Sequence, residues 1–294
     1  MKRVKLYVPN VILTLLLVFL LIGSEGTILA RRIGLSENTF RYITEQQQLD
    51  AKGYDTLTTY FKMRSNSTGI PESVFLDAVN QEDLHAGIIQ NAGAALDYIC
   101  GRSDAYEPSM EFTALETAVT DFFVSYAKDN SYEQDEAFDQ KVQSAISEAE
   151  AEILITADPF RFSTLHENGW LEKARQAVSY LDLAVKVCVI ALIIVIVLLV
   201  LCNLKQLEHL CYWIGLAGFT SGLLTAVPCI YLTASDFFSG FTIKDPQVFA
   251  AITGLLRLLT SRGLTMAIIT TIVGVICIIS FAFLRAVERE EDEA

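Results

Sequence analysis

Residues 170–204 read WLEKARQAVSYLDLAVKVCVIALIIVIVLLVLCNL, a stretch with neither glycine nor proline. Its second half, 187–201, is an uncharged run rich in Val, Ile and Leu, whereas the first half carries apolar residues at steps of three and four from Trp170 to Val185. Those steps are the helical period, so both halves predict one helix. Such a helix is about 50 Å long, and a bilayer core accounts for only about 30 Å of it. The rest is expected to leave the membrane as a stalk.

The charges of the 294-residue chain are concentrated in one segment. Residues 31–182 hold 12 Lys/Arg against 26 Asp/Glu, a difference of −14, and the whole chain has a formal net charge of −13. An acidic domain repels nucleic acid and anionic lipid headgroups, so we expect no nucleic-acid partner. Solubility and self-repulsion account for such charge, and a basic protein or cation partner is the alternative.

The N-terminus predicts a membrane anchor. Met1–Lys5 is basic, and the apolar run that follows from Leu6 to Ile22 is longer than the apolar region of a cleaved signal peptide. Residues 1–30 are therefore interpreted as an uncleaved transmembrane signal anchor. Glu25 is the one acid in this span, about 28 Å from Leu6 at helical rise. That depth favours an interfacial carboxylate over a functional acid inside the membrane.

The remaining chain predicts helices throughout, because no stretch alternates with period two. Residues 31–182 form an acidic helical domain, in which Gly53 is expected to break or bend the chain. Residues 183–285 form a three-span membrane bundle. Asp245-Pro246 is a strong helix start, and the short apolar helix near 245–260 is expected to lie flat on the membrane face or under the acidic domain. Residues 286–294 form a charged tail.

These segments predict an all-α integral membrane protein with four transmembrane helices and a helical domain inserted between the first and second spans. Four spans put both termini on one side, and the signal anchor favours the cytoplasm, which makes the inserted domain extracytoplasmic and the protein a multi-pass protein of the cell membrane. The order of one span, a large domain and three spans resembles the cell-division and macrolide-exporter type of ABC permease in topology. No motif matches residue by residue, and those permeases hold an ATPase through a segment that corresponds here to the short link 203–209.

Small residues recur on the third and fourth spans at spacings that let helix backbones approach closely. The packing candidates are Gly215, Gly218 and Gly222 on the third span, and Ala267, Thr271 and Gly274 on the fourth. The alternative is a substrate path lined by Thr220, Thr225, Thr270 and Thr271.

No motif in the sequence predicts catalysis. The three histidines are scattered, none has metal or triad spacing, and no phosphate-binding loop occurs. We therefore expect a non-enzymatic membrane protein without cofactor or metal, whose acidic domain binds or senses an extracytoplasmic partner and is coupled to the bundle through the stalk helix. Membrane lipid and either a protein partner or a homo-oligomer are the expected partners. The alternative is a transporter, channel or ABC-permease-like subunit.

Overall fold

The computed structural model describes residues 4–204 and 207–293. Their regular secondary structure is helical, with no strand among them. The all-α prediction is confirmed for this part of the chain. The predictions that rest on Lys2 and Arg3 of the anchor, on Lys205 of the link and on Ala294 of the tail lie outside the described residues.

Eleven α-helices are described between these bounds, with a π-helical turn at Ala30–Gly34 and a 3-10 turn at Phe237–Gly240. The helices are α1 Val4–Leu29, α2 Glu37–Gln47, α3 Leu49–Thr68, α4 Ser73–Leu76, α5 Gln81–Ile99, α6 Thr113–Asp129, α7 Glu136–Thr156, α8 Phe162–Glu167, α9 Trp170–Asn203, α10 Leu207–Ala234 and α11 Pro246–Glu293.

The chain divides into two compact units. The acidic unit consists of Ser36–Gln176 and Thr242–Leu255, and the apolar unit consists of the described residues within Met1–Leu35, Ala177–Phe241 and Leu256–Ala294. The sequence predicts an uninterrupted domain over 31–182, whereas the acidic unit also takes in the segment around the start of α11. Two helices, α9 and α11, begin in the acidic unit and continue in the apolar unit.

The acidic unit is built around fully buried aliphatic and aromatic side chains. Its core includes Leu49, Leu57, Phe61, Leu84, Leu115 and Ile153, each 2 % exposed or less. Helices α2 and α3 are separated at Gln48, whose backbone is left-handed with φ 50°. The predicted break at Gly53 is wrong, because Gly53 lies buried inside the continuous helix α3.

The apolar unit has its own core. Leu17 and Val18 of α1 pack with Val195 and Leu199 of α9 and with Trp213 and Ala217 of α10. Four helices, α1, α9, α10 and α11, are long and apolar enough to cross a membrane. Large apolar side chains stay exposed along them, for example Phe19, Ile193 and Ile276. That pattern is typical of helices that face lipid.

Helix α9 extends from Trp170 to Asn203 without interruption, so the prediction of one helix over this stretch is confirmed. Helix α11 differs from the prediction. Pro246–Glu293 is a single helix, so the predicted separate helix that ends near 260 is not observed. Its first residues belong to the acidic unit, in line with the expected placement at the acidic domain and not with the placement flat on the membrane face. The reason is that Val248, Ala250 and Ala251 are buried in the acidic unit, which gives this apolar segment a protein partner in place of the membrane surface.

Candidate functional sites

A groove of about 700 Å³ opens on the acidic unit between α3, α6 and α7. One face of α7 forms its floor with small residues at helical spacing, including Ala137, Ser144, Ala145 and Ala149. Aromatic side chains form its walls: Tyr60 and Phe61 of α3, Phe75 of α4, and Phe122, Phe123 and Tyr126 of α6. A volume of this size lies within the range of about 300–1,000 Å³ that is typical of small-molecule sites.

The aromatic side chains of this groove are arranged in ring contacts. Phe61 and Phe75 are buried and stack with their ring centroids 4.5 Å apart, which makes one wall rigid. Phe122 stacks on Tyr126 at 6.2 Å, and its ring meets Phe123 edge-on at 5.8 Å. Tyr126 is 51 % exposed, so part of this aromatic surface faces the open groove.

Three charged residues line the groove. Arg64 of α3 and Glu148 of α7 form an ion pair across it. Lys141 of α7 is exposed and has no ion-pair partner among the described residues. The groove therefore carries one unpaired positive charge in a unit that is otherwise strongly acidic.

The first turn of α11 is held in the acidic unit by a buried amide. Gln247 is 3 % exposed, and its Nε2 donates hydrogen bonds of 2.9 Å to the carbonyl of Leu49 and of 3.0 Å to the carbonyl of Thr156. The absence of a side chain at Gly53 makes room for it, because a Cβ built there would lie 2.5 Å from Nε2 of Gln247. A buried polar group with both donors satisfied specifies one position of the helix.

The start of α11 is also capped. Asp245 accepts hydrogen bonds from the backbone N–H groups of Gln247 and Val248, and its other oxygen forms an ion pair of 2.9 Å with Arg161. The predicted helix start at Asp245-Pro246 is thus observed, with the aspartate as the N-cap and the proline at the first helical position.

The first turn of α9 is held in the same unit. Tyr98 of α5 donates a 2.8 Å hydrogen bond to Glu172, and this bond lowers the pKa of the Glu172 carboxyl. Arg175 lies over the ring of Tyr98 at 5.0 Å and forms an ion pair of 3.1 Å with Asp104. Together with the buried side chain of Leu171, these contacts fix the beginning of α9 against α5 and the loop that follows it.

A buried polar network lies close to that turn. Tyr106 donates a 2.6 Å hydrogen bond to Asn91 and lies 3.2 Å from the hydroxyl of Ser163. Burial raises the pKa of Tyr106 to about 12. Asp158 accepts hydrogen bonds from the N–H groups of Phe162 and Ser163 and so caps α8. The polar groups of this network bond one another, which fixes the packing of α5, α8 and the loop between α5 and α6.

In the apolar unit, the structure brings the predicted small residues of α10 and α11 together. A Cβ on Gly215 would lie 2.8 Å from the carbonyl oxygen of Gly274, and one on Gly218 would lie 3.3 Å from Cα of Gly274. Gly222 faces the hydroxyl of Thr271 and lies beside the carbonyl of Ala267. The two backbones approach so closely that an added Cβ would clash at Gly215 and Gly222 and would be tight at Gly218.

Glu25 of α1 lies between the same two helices. Its carboxylate accepts a hydrogen bond of 3.2 Å from Thr225 of α10 and one of 2.5 Å from Thr270 of α11. Glu25 is therefore half-buried and contacts two other candidate spans. Of the threonines named in the alternative of a substrate path, Thr225 and Thr270 both contact Glu25, whereas the hydroxyl of Thr271 donates to the carbonyl of Ala267 in its own helix.

A second polar contact joins α1 to α9 and was missed in the sequence. The amides of Asn10 and Asn203 exchange two hydrogen bonds of 3.1 Å, and both side chains are buried, at 5 % and 6 % exposure. A signal was present, because asparagine inside an apolar run is costly in lipid unless it finds a partner. The groove of the acidic unit was also missed, because its lining residues come from four separate helices.

Among the described residues, no group of three His, Cys, Asp or Glu side chains is arranged to hold a metal ion. Comparison of the chain with known protein families, with curated proteins and with solved structures finds no match in any of the three.

Proposed function

We propose that this chain is a non-enzymatic multi-pass membrane protein whose acidic helical domain binds or senses a partner outside the cytoplasm. The groove between α3, α6 and α7 is its binding site, and α9 and α11 pass the state of the domain to the bundle. The observation that carries this proposal is that both helices begin inside the acidic unit and continue without interruption as candidate membrane spans. Their first turns are held in that unit by the side chains of Glu172 and Gln247.

The physical argument for coupling is the stiffness of a helix held at one end. A helix without glycine, proline or a π-bulge has no local site at which to absorb a bend. Residues 182–186 of α9 contain none of these and are helical. A change at the anchored first turn of α9 would therefore be passed along the helix, which is the kind of contiguous element that coupling requires. Helix α11 also continues without a break from its anchored first turn, and it contains Gly254 and Gly263 on the way.

Coupling is tested with a single reporter cysteine in the bundle. Cys229 of α10 lies beside Gly263 of α11, since a Cβ built on that glycine would be 3.5 Å from the sulfur. In a chain whose other five cysteines are serine, the labelling rate of Cys229 with N-ethylmaleimide is measured in membranes, with and without Gln247→Ala. We expect the substitution to change the rate, since it frees the first turn of α11.

The control for this experiment is Gln143→Ala, which alters an exposed glutamine of α7 away from both helices. Arg161→Gln serves as a milder second variant, because it removes only the ion pair to Asp245 and leaves the Asp245 cap bonds in place. Unchanged labelling in both test variants, with the acidic unit folded by circular dichroism, would contradict coupling through α11.

Partner binding is tested separately by crosslinking in intact cells, followed by purification in detergent. A photo-crosslinking residue at Ser144, on the groove floor, is expected to capture a partner or a second copy of this chain. The same residue at Gln143, one position away and outside the groove, is the control. Equal yields from the two positions would remove the groove from the proposal.

A second candidate function, transport across the membrane, is favoured by Glu25. An acid within a span that is held by hydroxyl groups of two other spans is a typical element of a proton or cation path. The test is flux in reconstituted liposomes, compared between the unmodified chain and Glu25→Gln. Equal proton and sodium flux in the two, at the level of empty liposomes, would exclude this role for Glu25.

A further inference from the structure

The shape of the groove in the acidic unit limits what can occupy it. Its floor follows one face of α7 from Ala137 to Ala149, twelve helical steps and thus about 18 Å. Its volume of about 700 Å³ is that of a small-molecule site.

The aromatic walls of the groove indicate the chemistry of the apolar part of its ligand. Phe122 and Phe123 are half-buried, and with Tyr126 they form an aromatic surface that is not covered by the unit itself. Small-molecule pockets are lined predominantly by apolar and aromatic side chains, and this surface faces the open groove. Aromatic walls over a floor of alanine and serine fit a flat or elongated apolar body, which would lie between α3 and α6.

The charged side chains that line the groove indicate the charge of the ligand's polar group. Glu148 already neutralises Arg64, whereas Lys141 lacks an ion-pair partner among the residues that the structure describes. The many acids of the unit repel an anion at long range, but that repulsion is screened within about 8–10 Å at physiological salt. A carboxylate in direct contact with Lys141 gains a charge-assisted hydrogen bond in addition to the attraction between opposite charges.

We propose that the groove binds a small amphipathic anion, with its apolar body between the aromatic walls and its anionic group on Lys141. The inference rests on the proposed function, since it names the ligand class of the same domain. It is nevertheless testable alone, because binding to the groove does not require coupling to the bundle.

The experiment compares three probes that share one ring system and differ in charge: 2-naphthoate, 2-naphthalenemethanol and (2-naphthylmethyl)trimethylammonium. Binding to the full chain in zwitterionic lipid nanodiscs is measured by titration calorimetry, with empty nanodiscs subtracted. We expect 2-naphthoate to bind most tightly and the cationic probe least. Lys141→Gln should weaken 2-naphthoate about three- to tenfold and leave the neutral probe unchanged.

Lys128→Gln is the matched control, because Lys128 is an exposed lysine at the end of α6 that does not line the groove. Phe123→Ala should weaken the carboxylate and the neutral probe alike. If that variant fails to fold, Lys141→Gln still decides the question, since an exposed lysine carries no core packing. Tighter binding of the cationic probe, equal loss in both lysine variants or no binding of any probe would overturn the proposal.

The results also separate the two proposals. If the probe binds but Cys229 labelling is unchanged in Gln247→Ala, the groove is a binding site and the proposal of coupling through α11 is wrong. The converse result, altered labelling without probe binding, would keep the coupling and point to a macromolecular partner at the groove.

Discussion

Gln247 shows how one side chain can position a long helix. Its amide reaches two carbonyl oxygens, of Leu49 and Thr156, that belong to the ends of two other helices of the acidic unit. The carbonyl of Thr156 lies in the last turn of α7, where it has no partner within the helix. The carbonyl of Leu49 lies in the first turn of α3, where it can accept a helical bond and the bond from Gln247 together. The contact is therefore specific in a way that apolar burial alone is not, because only one position of α11 satisfies both bonds.

The first prediction concerns this contact. Gln247→Ala removes both hydrogen bonds and leaves the carbonyl of Thr156, in the last turn of α7, without a donor, which costs about 1–3 kcal/mol of local stability in the acidic unit. Hydrogen-exchange protection of the α3 amides should fall accordingly in the full chain. Gln143→Ala, an exposed substitution on α7, is expected to change protection by less than about 0.5 kcal/mol. Equal protection in the two variants would mean that the amide does not hold α11.

A second residue-scale prediction concerns pH. The hydrogen bond from Tyr98 lowers the pKa of Glu172 below its ordinary value of 4.5, so the folded form favours the carboxylate. Its contribution to stability is present above pH about 4.5 and is lost as the pH falls through the lowered pKa of the folded state. Tyr98→Phe should therefore destabilise the acidic unit at pH 7, and the difference from the unmodified chain should shrink below pH 4.

The measurement for this pH prediction is thermal unfolding between pH 3 and 7. Tyr132→Phe is a suitable control, since Tyr132 is 63 % exposed and only stacks on Tyr126. A difference between Tyr98→Phe and the unmodified chain that stays constant over this range would show that the stabilisation does not depend on the Glu172 charge.

At the scale of elements, α10 and α11 approach each other backbone to backbone in the apolar unit. Gly215, Gly218 and Gly274 bring backbone against backbone, and Glu25 adds a polar contact from α1 to both helices. In lipid, close van der Waals packing and hydrogen bonds between helices take over the part that apolar burial plays in water. The small residues and Glu25 are therefore expected to stabilise the same helix arrangement.

The element-scale prediction compares two glycines within candidate spans. Gly274→Ala would place a methyl group against the backbone of Phe219 and 2.8 Å from the Gly215 carbonyl, so α10 and α11 must separate. We expect a loss of about 1–3 kcal/mol in unfolding by SDS from mixed micelles. Gly26→Ala meets no atom within 4 Å and should be neutral or slightly stabilising. Equal losses would show that the close contact is absent in solution.

At the scale of the whole molecule, charge and apolar surface are segregated along the sequence. The acids are concentrated in residues 31–182, whereas the four candidate spans expose their apolar side chains. Ion pairs on the acidic unit, such as Arg102 with Asp97, are exposed and contribute little individually. The unit is therefore held by its core and works against the repulsion among its own carboxylates.

This repulsion gives the whole-molecule prediction. Raising the salt concentration from about 10 mM to 500 mM shortens the screening length from about 30 Å to a few ångströms, so repulsion among the acids weakens. The melting temperature of the acidic unit should rise by several degrees, since about 1 kcal/mol shifts it by about 2–4 °C in a domain of this size. A fall in melting temperature with added NaCl would mean that attractive ion pairs dominate instead.

The sequence by itself determined the helical class, the four apolar helices and the uninterrupted helix from Trp170, because periodicity, length and the absence of glycine and proline act locally. The sequence also indicated the small residues of α10 and α11, since their spacing is a local pattern. The start of α11 was identified at Asp245-Pro246 for the same reason, as cap and proline are adjacent in the chain.

Only the tertiary structure showed which unit the first turns of α11 join and why position 53 requires glycine. It also showed that Thr225 and Thr270 meet at Glu25. Each of these contacts joins residues far apart in the chain, and an apolar helix has the same pattern whether protein or membrane covers it. The groove also depends on the tertiary structure. Its lining residues belong to four helices and form one surface only when those helices have packed on their common core.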